Sequence, residues 1–221
     1  MIDRVLIVED YQSTSISIQK SLEDFGVGHT DHVLYCDDAL SKIITCNKLG
    51  NPYDLLIADL SFEEDGRPQQ ITNGIELITA CRIAQPSLKV LVFSAENKAA
   101  VLDNLFTHHE IDGYVRKARN DSKELIQALD QLSQNRKYIP RHITQLINKK
   151  NAYEFSELDI TIISLLANGV SQKNIPYYLK EKKISPSGLS SIEKRLKQIR
   201  TELDFTKNEQ LVAFCKDMGL I

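Results

Sequence analysis

Apolar residues fall in five short runs along the front of the chain, at 4–8, 33–35, 55–58, 89–93 and 114–115. The runs at Val5-Leu-Ile-Val8 and Leu55-Leu-Ile-Ala58 are continuous rather than alternating, the pattern of a strand covered on both faces in a parallel sheet. Between the runs lie segments of helical spacing at about 12–22, 37–47, 74–84, 96–106 and 121–134. Strand and helix alternating in this way predict βαβ units. The punctuation agrees. Asp37 or Asp38 is placed to cap the second helix, Pro86-Ser87 breaks the chain before the fourth strand, and Asp121 with Glu124 has capping-box spacing. The predicted front half is an α/β flavodoxin-like sheet, (βα)5, wound with helices on both faces.

The period changes after residue 135. Asn135-Arg-Lys-Tyr-Ile-Pro140 closes the first domain, and a polar connector over 136–153 keeps some helical spacing at Ile143, Leu146 and Ile147. From 154 to 221 the pattern is all helical. Ser156 with Asp159 predicts an N-cap, Ile160, Ile163, Leu166 and Ala167 an apolar face, and Asn168-Gly169 a stop. Ser171 is placed to cap a second helix carrying Ile175 and Leu179, and Ser185 with Pro186 to open a third. In that third helix Leu189, Ile192, Leu196, Ile199 and Leu203 repeat at 3-4-3-4 spacing, and a last helix spans about 208–218.

Charge sharpens this division. The net charge of −3 combines 14 Lys+Arg against 21 Asp+Glu in residues 1–140 with 13 against 9 in residues 141–221. Seven bases and two acids lie between 180 and 200, so the rear half is the candidate polyanion binder. A composition 42% hydrophobic and 26% charged argues against wholesale disorder. No basic-apolar leader opens the sequence and no apolar run nears the roughly 18–20 residues of a membrane span. Four scattered cysteines without C-x-x-C spacing read as reduced thiols of a cytoplasmic protein.

Candidate chemistry gathers at the predicted strand ends. Glu9 and Asp10 end the first run and Asp59 the third. Carboxylates at the C-terminal ends of parallel strands meet at one edge, where open α/β sheets place ligands. Three of them repel one another without a cation, and hard oxygen donors suit Mg²⁺. The fourth run ends in Ser94 and the fifth in Lys117. The set suits acyl-phosphate chemistry: a carboxylate attacks phosphorus while a hydroxyl and an ammonium hold phosphoryl oxygens.

With these five positions in order, residues 1–135 resemble the receiver domains of two-component response regulators. The resemblance implies that Asp59 is the phosphoacceptor and that Glu9, Asp10, Asp59 and the backbone carbonyl of Ser61 hold Mg²⁺. It implies that Ser94 and Lys117 bind the phosphoryl group and that Tyr114 is an aromatic switch that packs inward as the Ser94 hydroxyl moves toward the phosphate. One departure is large. Fourteen residues, from Leu60 to Asn73, separate Asp59 from the next helix, where the family has about seven, and the usual Met-Pro pair is missing. The insertion is expected to cover part of the site and to tune the choice of kinase or the loss of phosphate.

The rear half is similar to the LuxR-type (NarL/FixJ) helix-turn-helix, on the run from Phe155-Ser-Glu-Leu158 through Gly169 and Ile175 to Leu189. The resemblance implies double-stranded DNA as partner, a homodimer on it, and the third helix in the major groove. That helix shows Ser187, Ser190, Ser191, Lys194, Arg195 and Lys197 away from its apolar stripe. Gly188, Leu189, Ser190 and Ile192 stand where the family has Thr-Val-Lys-x-His, Lys180–Lys183 lengthens the turn, and Pro176 replaces an Ala. Proline costs about 3 kcal/mol inside a helix, so the second helix is expected to start late or bend. The expected protein is a DNA-binding response regulator in a phosphorelay, a switch rather than a metabolic enzyme, phosphorylated by a histidine kinase or a small-molecule phosphodonor. The alternative is a phosphorylation-dependent adaptor whose rear domain binds protein.

Overall fold

The computed structural model describes residues 2–141, 143–145, 148 and 153–221, and Leu146 and Ile147 of the connector stripe lie outside the described residues. The chain forms two compact units, one of residues 1–97 and 102–140 and one of residues 98–101 and 141–221.

The front unit contains β1 (Arg4–Val8), β2 (His29–Val33), β3 (Leu55–Ala58), β4 (Lys89–Ser94) and β5 (Gly113–Arg116), all parallel, in the order β2-β1-β3-β4-β5. Helices α1 (Gln12–Phe25), α2 (Cys36–Lys48), α3 (Gly74–Ala84), α4 (Ala99–Thr107) and α5 (Asp121–Ser133) follow the strands in turn. β1, β3 and β4 are buried along both faces, as their unbroken apolar runs predict. Val5, Ile7, Leu55, Ile57, Leu91 and Phe93 pack with Ile18 and Leu22 of α1 and Leu125, Leu129 and Leu132 of α5. Leu6, Val8, Leu56, Val90 and Val92 are also fully buried, and by strand alternation they face the opposite side.

β2 is the exception. The apolar run at 33–35 predicts its centre, yet the strand is His29–Val33, none of it buried, and Leu34 is 44% exposed. As the edge strand it has one neighbour only, and its side chains are largely polar. Two expected caps differ as well. Tyr35 occupies the N-cap position of α2 with no side-chain cap, and Asn120 that of α5. Asp37 and Asp38 are drawn instead to residues 67–71, so their carboxylates do not close the helix end.

The rear unit consists of α6 (Glu157–Ala167), α7 (Ile175–Glu181), α8 (Leu189–Glu202) and α9 (Asn208–Asp217) among the described residues. Ser156 caps α6 in a capping box with Asp159, an arrangement worth about 1 kcal/mol. The buried face of α6 is centred on Asp159, Ile162 and Ile163, whereas Ile160, Leu166 and Ala167 are half-buried. Gly169 ends the helix with φ +81°, a conformation that favours glycine. α7 begins late, as Pro176 requires, with Pro in its first turn and Asn174 rather than Ser171 at the cap. α8 starts at Leu189 with Gly188 as its cap, three residues beyond the Ser185-Pro186 start. Ser187 and Gly188 are poor helix formers, so the first apolar anchor sets the start. Ile192, Leu196, Ile199 and Leu203 are buried as their spacing predicts, with Leu211, Phe214 and Cys215 of α9. No helix is long and apolar enough to cross a membrane among the described residues.

Candidate functional site

The sheet ladder runs directly into the residues singled out by sequence. The Glu9 amide donates to Val33 O (3.2 Å), the Asp59 amide to Val8 O (3.1 Å) and the Lys117 amide to Ser94 O (2.9 Å). Each side chain therefore stands at the C-terminal end of its strand, fixed by the backbone of its neighbour. Glu9, Asp10 and Asp59 each offer one carboxylate oxygen, and the three lie within 4.8 Å of one another.

Glu9 and Asp59 are buried, and one cation serves both. Lys117 Nζ lies 2.6 Å from Asp59 Oδ2 and 2.7 Å from Glu9 Oε2. Burial pushes the Glu9 carboxyl above its usual value, and Lys117 only partly opposes this. Burial also works against the Lys117 ammonium, but hydrogen bonds to Asp59 and Glu9 outweigh it and hold its pKa above the usual lysine range. The remaining Asp59 oxygen, Oδ1, accepts the Leu60 amide at 2.6 Å. Asp10 Oδ2 accepts the Glu63 amide at 2.7 Å, whereas Asp10 Oδ1 is buried with no hydrogen-bond partner among the described residues. A buried carboxylate oxygen without a donor, beside two more carboxylates, fits a divalent cation bound through oxygen.

α3 presses on this edge from below. Its first residue, Gly74, donates to Leu60 O at 3.0 Å, and a Cβ there would lie 2.0 Å from Asp59 O. Only glycine permits that approach. Ser94 is buried at the end of β4. Tyr114 is fully buried on β5, and its hydroxyl donates to Ser94 O at 3.1 Å and to Glu96 O. Tyr114 is thus already packed inward and linked to the Ser94 backbone by a hydrogen bond. Ser61 is exposed, two residues beyond Asp59.

The insertion after Ser61 is tied to the edge of the site at several points. Besides the Glu63 amide on Asp10, the Tyr11 hydroxyl donates to the Glu63 carboxylate and the Tyr35 hydroxyl to Asp65 Oδ2 (2.5 Å). Arg67 makes a two-pronged contact with Asp38 (2.8 and 3.0 Å) and lies over the Tyr35 ring, 4.0 Å from its centroid. Asp37 accepts the Gln70 and Ile71 amides at 2.8 and 3.0 Å. Sequence reasoning missed these partners. The one available signal was the pair of adjacent acids at 37–38 beside an insertion containing Arg67.

In the rear unit, Ser190, Ser191, Lys194 and Lys197 are exposed on α8 and Ser187 is half-buried just before it. Arg195 departs from that group. Its Nε and Nη2 bond to Asp159 at 2.6 and 2.8 Å, and its guanidinium lies 5.9 Å from the Tyr153 ring centroid. Asp159 is fully buried, so Arg195 is the counter-ion of the α6 cap rather than a base presented outward. Burial alone would raise the Asp159 carboxyl, but Arg195 and Ser156 hold it below the usual carboxylate range.

No protein-family profile and no curated protein matches the chain. Solved structures do. The RcsB response regulator of Salmonella typhimurium aligns at 22% identity with TM-score 0.60, covering 97% of this chain and 98% of that one. The chain has the response-regulator fold. RcsB from Salmonella enterica serovar Typhimurium, bound to the rprA promoter with the phosphomimetic BeF3⁻, aligns at 24% identity and TM-score 0.52 over 97% and 98% of the two chains. The non-phosphorylated receiver domain of Escherichia coli RcsB aligns at 27% identity and TM-score 0.53, covering 64% of this chain and all of that one. The front unit is thus a flavodoxin-like receiver sheet, and the helical rear unit follows it as in these response regulators.

Proposed function

We propose that the chain is a response regulator in which phosphorylation of Asp59 controls DNA binding by the rear domain. The observation that carries this reading is the Lys117 ammonium on Asp59, within a cluster of three carboxylates at the C-terminal edge of a receiver-type sheet. The receiver takes in residues 1–135 and also 136–140 of the expected linker, where Tyr138 bridges to Gly113, and residues 154–221 are the DNA-binding domain.

Glu9, Asp10 and Asp59, with the Ser61 carbonyl, would hold Mg²⁺, which when bound offsets negative charge on the phosphoryl group. An Asp59 carboxylate oxygen attacks phosphorus. A new O–P bond forms as the bond from phosphorus to the donor breaks, and its electron pair leaves with the histidine nitrogen or the acyl oxygen. The Lys117 ammonium, already at Asp59, neutralises one phosphoryl oxygen, and the Ser94 hydroxyl donates to another. Movement of Ser94 toward that oxygen pulls on the carbonyl that holds the Tyr114 hydroxyl, which couples the site to the surface around β5. This chemistry makes the protein a self-modifying switch rather than a metabolic enzyme.

For the output, Ser187, Ser190, Ser191, Lys194 and Lys197 are the proposed DNA contacts, and a two-fold pair of chains reads two half-sites. DNA-bound RcsB structures of the same fold support DNA as the partner of the rear domain. The buried thiols Cys36, Cys81 and Cys215, each pushed up to about 12 by burial, fit a reducing cytoplasm, where we place the protein. The test is DNA selection with phosphorylated and unphosphorylated protein, followed by binding at several salt concentrations. A DNA regulator loses affinity steeply with salt and gains it on phosphorylation. The absence of a DNA complex in either state would support the protein-binding adaptor instead, the reading for which the pairing of Arg195 with Asp159 speaks.

A further inference from the structure

The insertion meets the acidic cluster at one point, the Glu63 amide on Asp10 Oδ2. Asp10 therefore has one oxygen satisfied by the insertion and one, Oδ1, buried and unpartnered. A carboxylate free to rotate presents either oxygen, and a fixed one presents a single donor in a single direction. Outer groups that orient a ligating carboxylate commonly contribute 10–100-fold to metal affinity. Here the orienting group is itself held from outside the site. Asp37 takes two backbone amides of the insertion, Asp38 takes Arg67, Tyr35 takes Asp65 and Tyr11 takes the Glu63 side chain. A cavity of about 180 Å³ beside this contact is lined in part by Asp10, Tyr35, Phe62 and Glu63, so the segment is not closely packed there.

We propose that the inserted segment, about 61–70, is a positioning element for the cation site: the Glu63 amide locks Asp10 with Oδ1 directed to the cation, and Asp37, Asp38 and Tyr35 hold the segment in place. Glu63 is a positioning residue acting through its backbone. This inference rests on the cation-binding reading of Glu9, Asp10 and Asp59, and the experiment separates the two.

Mn²⁺ is the probe, with bound and free ion distinguished by electron paramagnetic resonance on the full chain and Mg²⁺ as competitor. Glu63→Pro removes the amide donor, whereas Glu63→Gln keeps it and still accepts from Tyr11. Asp37→Ala with Arg67→Ala unties the far end without touching the cluster. The expected result is an affinity about tenfold weaker for Glu63→Pro and for the double variant, with Glu63→Gln unchanged. The double variant is also cleaved faster after Glu63 or Glu64 by a glutamate-specific protease. Wild-type affinity in a Glu63→Pro protein that retains its circular-dichroism spectrum overturns the inference. If Glu63→Pro does not fold, wild-type affinity in the double variant overturns it equally. Absence of Mn²⁺ binding by the unaltered protein overturns the cation site itself, and the positioning role with it.

Discussion

Lys117 Nζ lies 2.6 Å from Asp59 Oδ2 at the end of the sheet, bringing an ammonium just past β5 onto a carboxylate just past β3. With Glu9 on the same nitrogen, two buried acids depend on a single base.

Lys117→Met should therefore destabilise the receiver unit by about 3 kcal/mol, the usual cost of leaving a buried charge unpaired. Added Mg²⁺ should restore part of the loss, because a cation can replace the ammonium. Urea unfolding with and without Mg²⁺ reads both effects.

Gly74→Ala places a methyl group against backbone that cannot yield easily, since its Cβ would lie 2.0 Å from Asp59 O. The expected cost is about 1–3 kcal/mol. Labelling at Asp59 should slow as well, because the shift falls on the attacking residue. Thermal unfolding and acetyl phosphate labelling test the two halves.

The basic residues of α8 should separate into two classes. Arg195→Ala strips the counter-ion from fully buried Asp159 and should cost about 3–5 kcal/mol of rear-unit stability. Lys194→Ala and Lys197→Ala should leave stability unchanged and each lower the salt dependence of DNA binding by about one ion. Denaturation curves and salt-dependent binding of the three variants distinguish the classes.

The strand-end residues show which placements the sequence makes legible. Glu9, Asp10, Asp59 and Ser94 were legible at one sheet edge because β1, β3 and β4, buried on both faces, write unbroken apolar runs, whereas Lys117 follows the shorter run of β5. β2 was misplaced because an edge strand carries polar residues such as His29, Asp31 and His32, while the apolar Leu34 lies beyond its end. Arg195 and Asp37 were misassigned for another reason. Their partners stand 36 and 33 or 34 residues away, and no local period reports a contact across such a distance.

Acid should weaken the rear unit through Asp159, whose carboxyl is held below its ordinary value of 3.8 despite burial. A depressed folded pKa contributes stability that is complete above the unfolded value and is lost as pH falls through the folded one. Rear-unit stability should thus be level above about pH 5 and fall below about pH 4, and Asp159→Asn should flatten that fall. Unfolding monitored between pH 2 and 7, a window chosen to span the ordinary carboxylate pKa, checks it.

Incubation of the full chain with acetyl phosphate and Mg²⁺, followed by intact-mass spectrometry, tests the central assignment most directly. The wild-type protein should gain one phosphoryl group, only with Mg²⁺ present, and Asp59→Asn should gain none. Equal labelling of Asp59→Asn, or no Mg²⁺-dependent labelling of the wild-type chain, would contradict Asp59 as the phosphoacceptor.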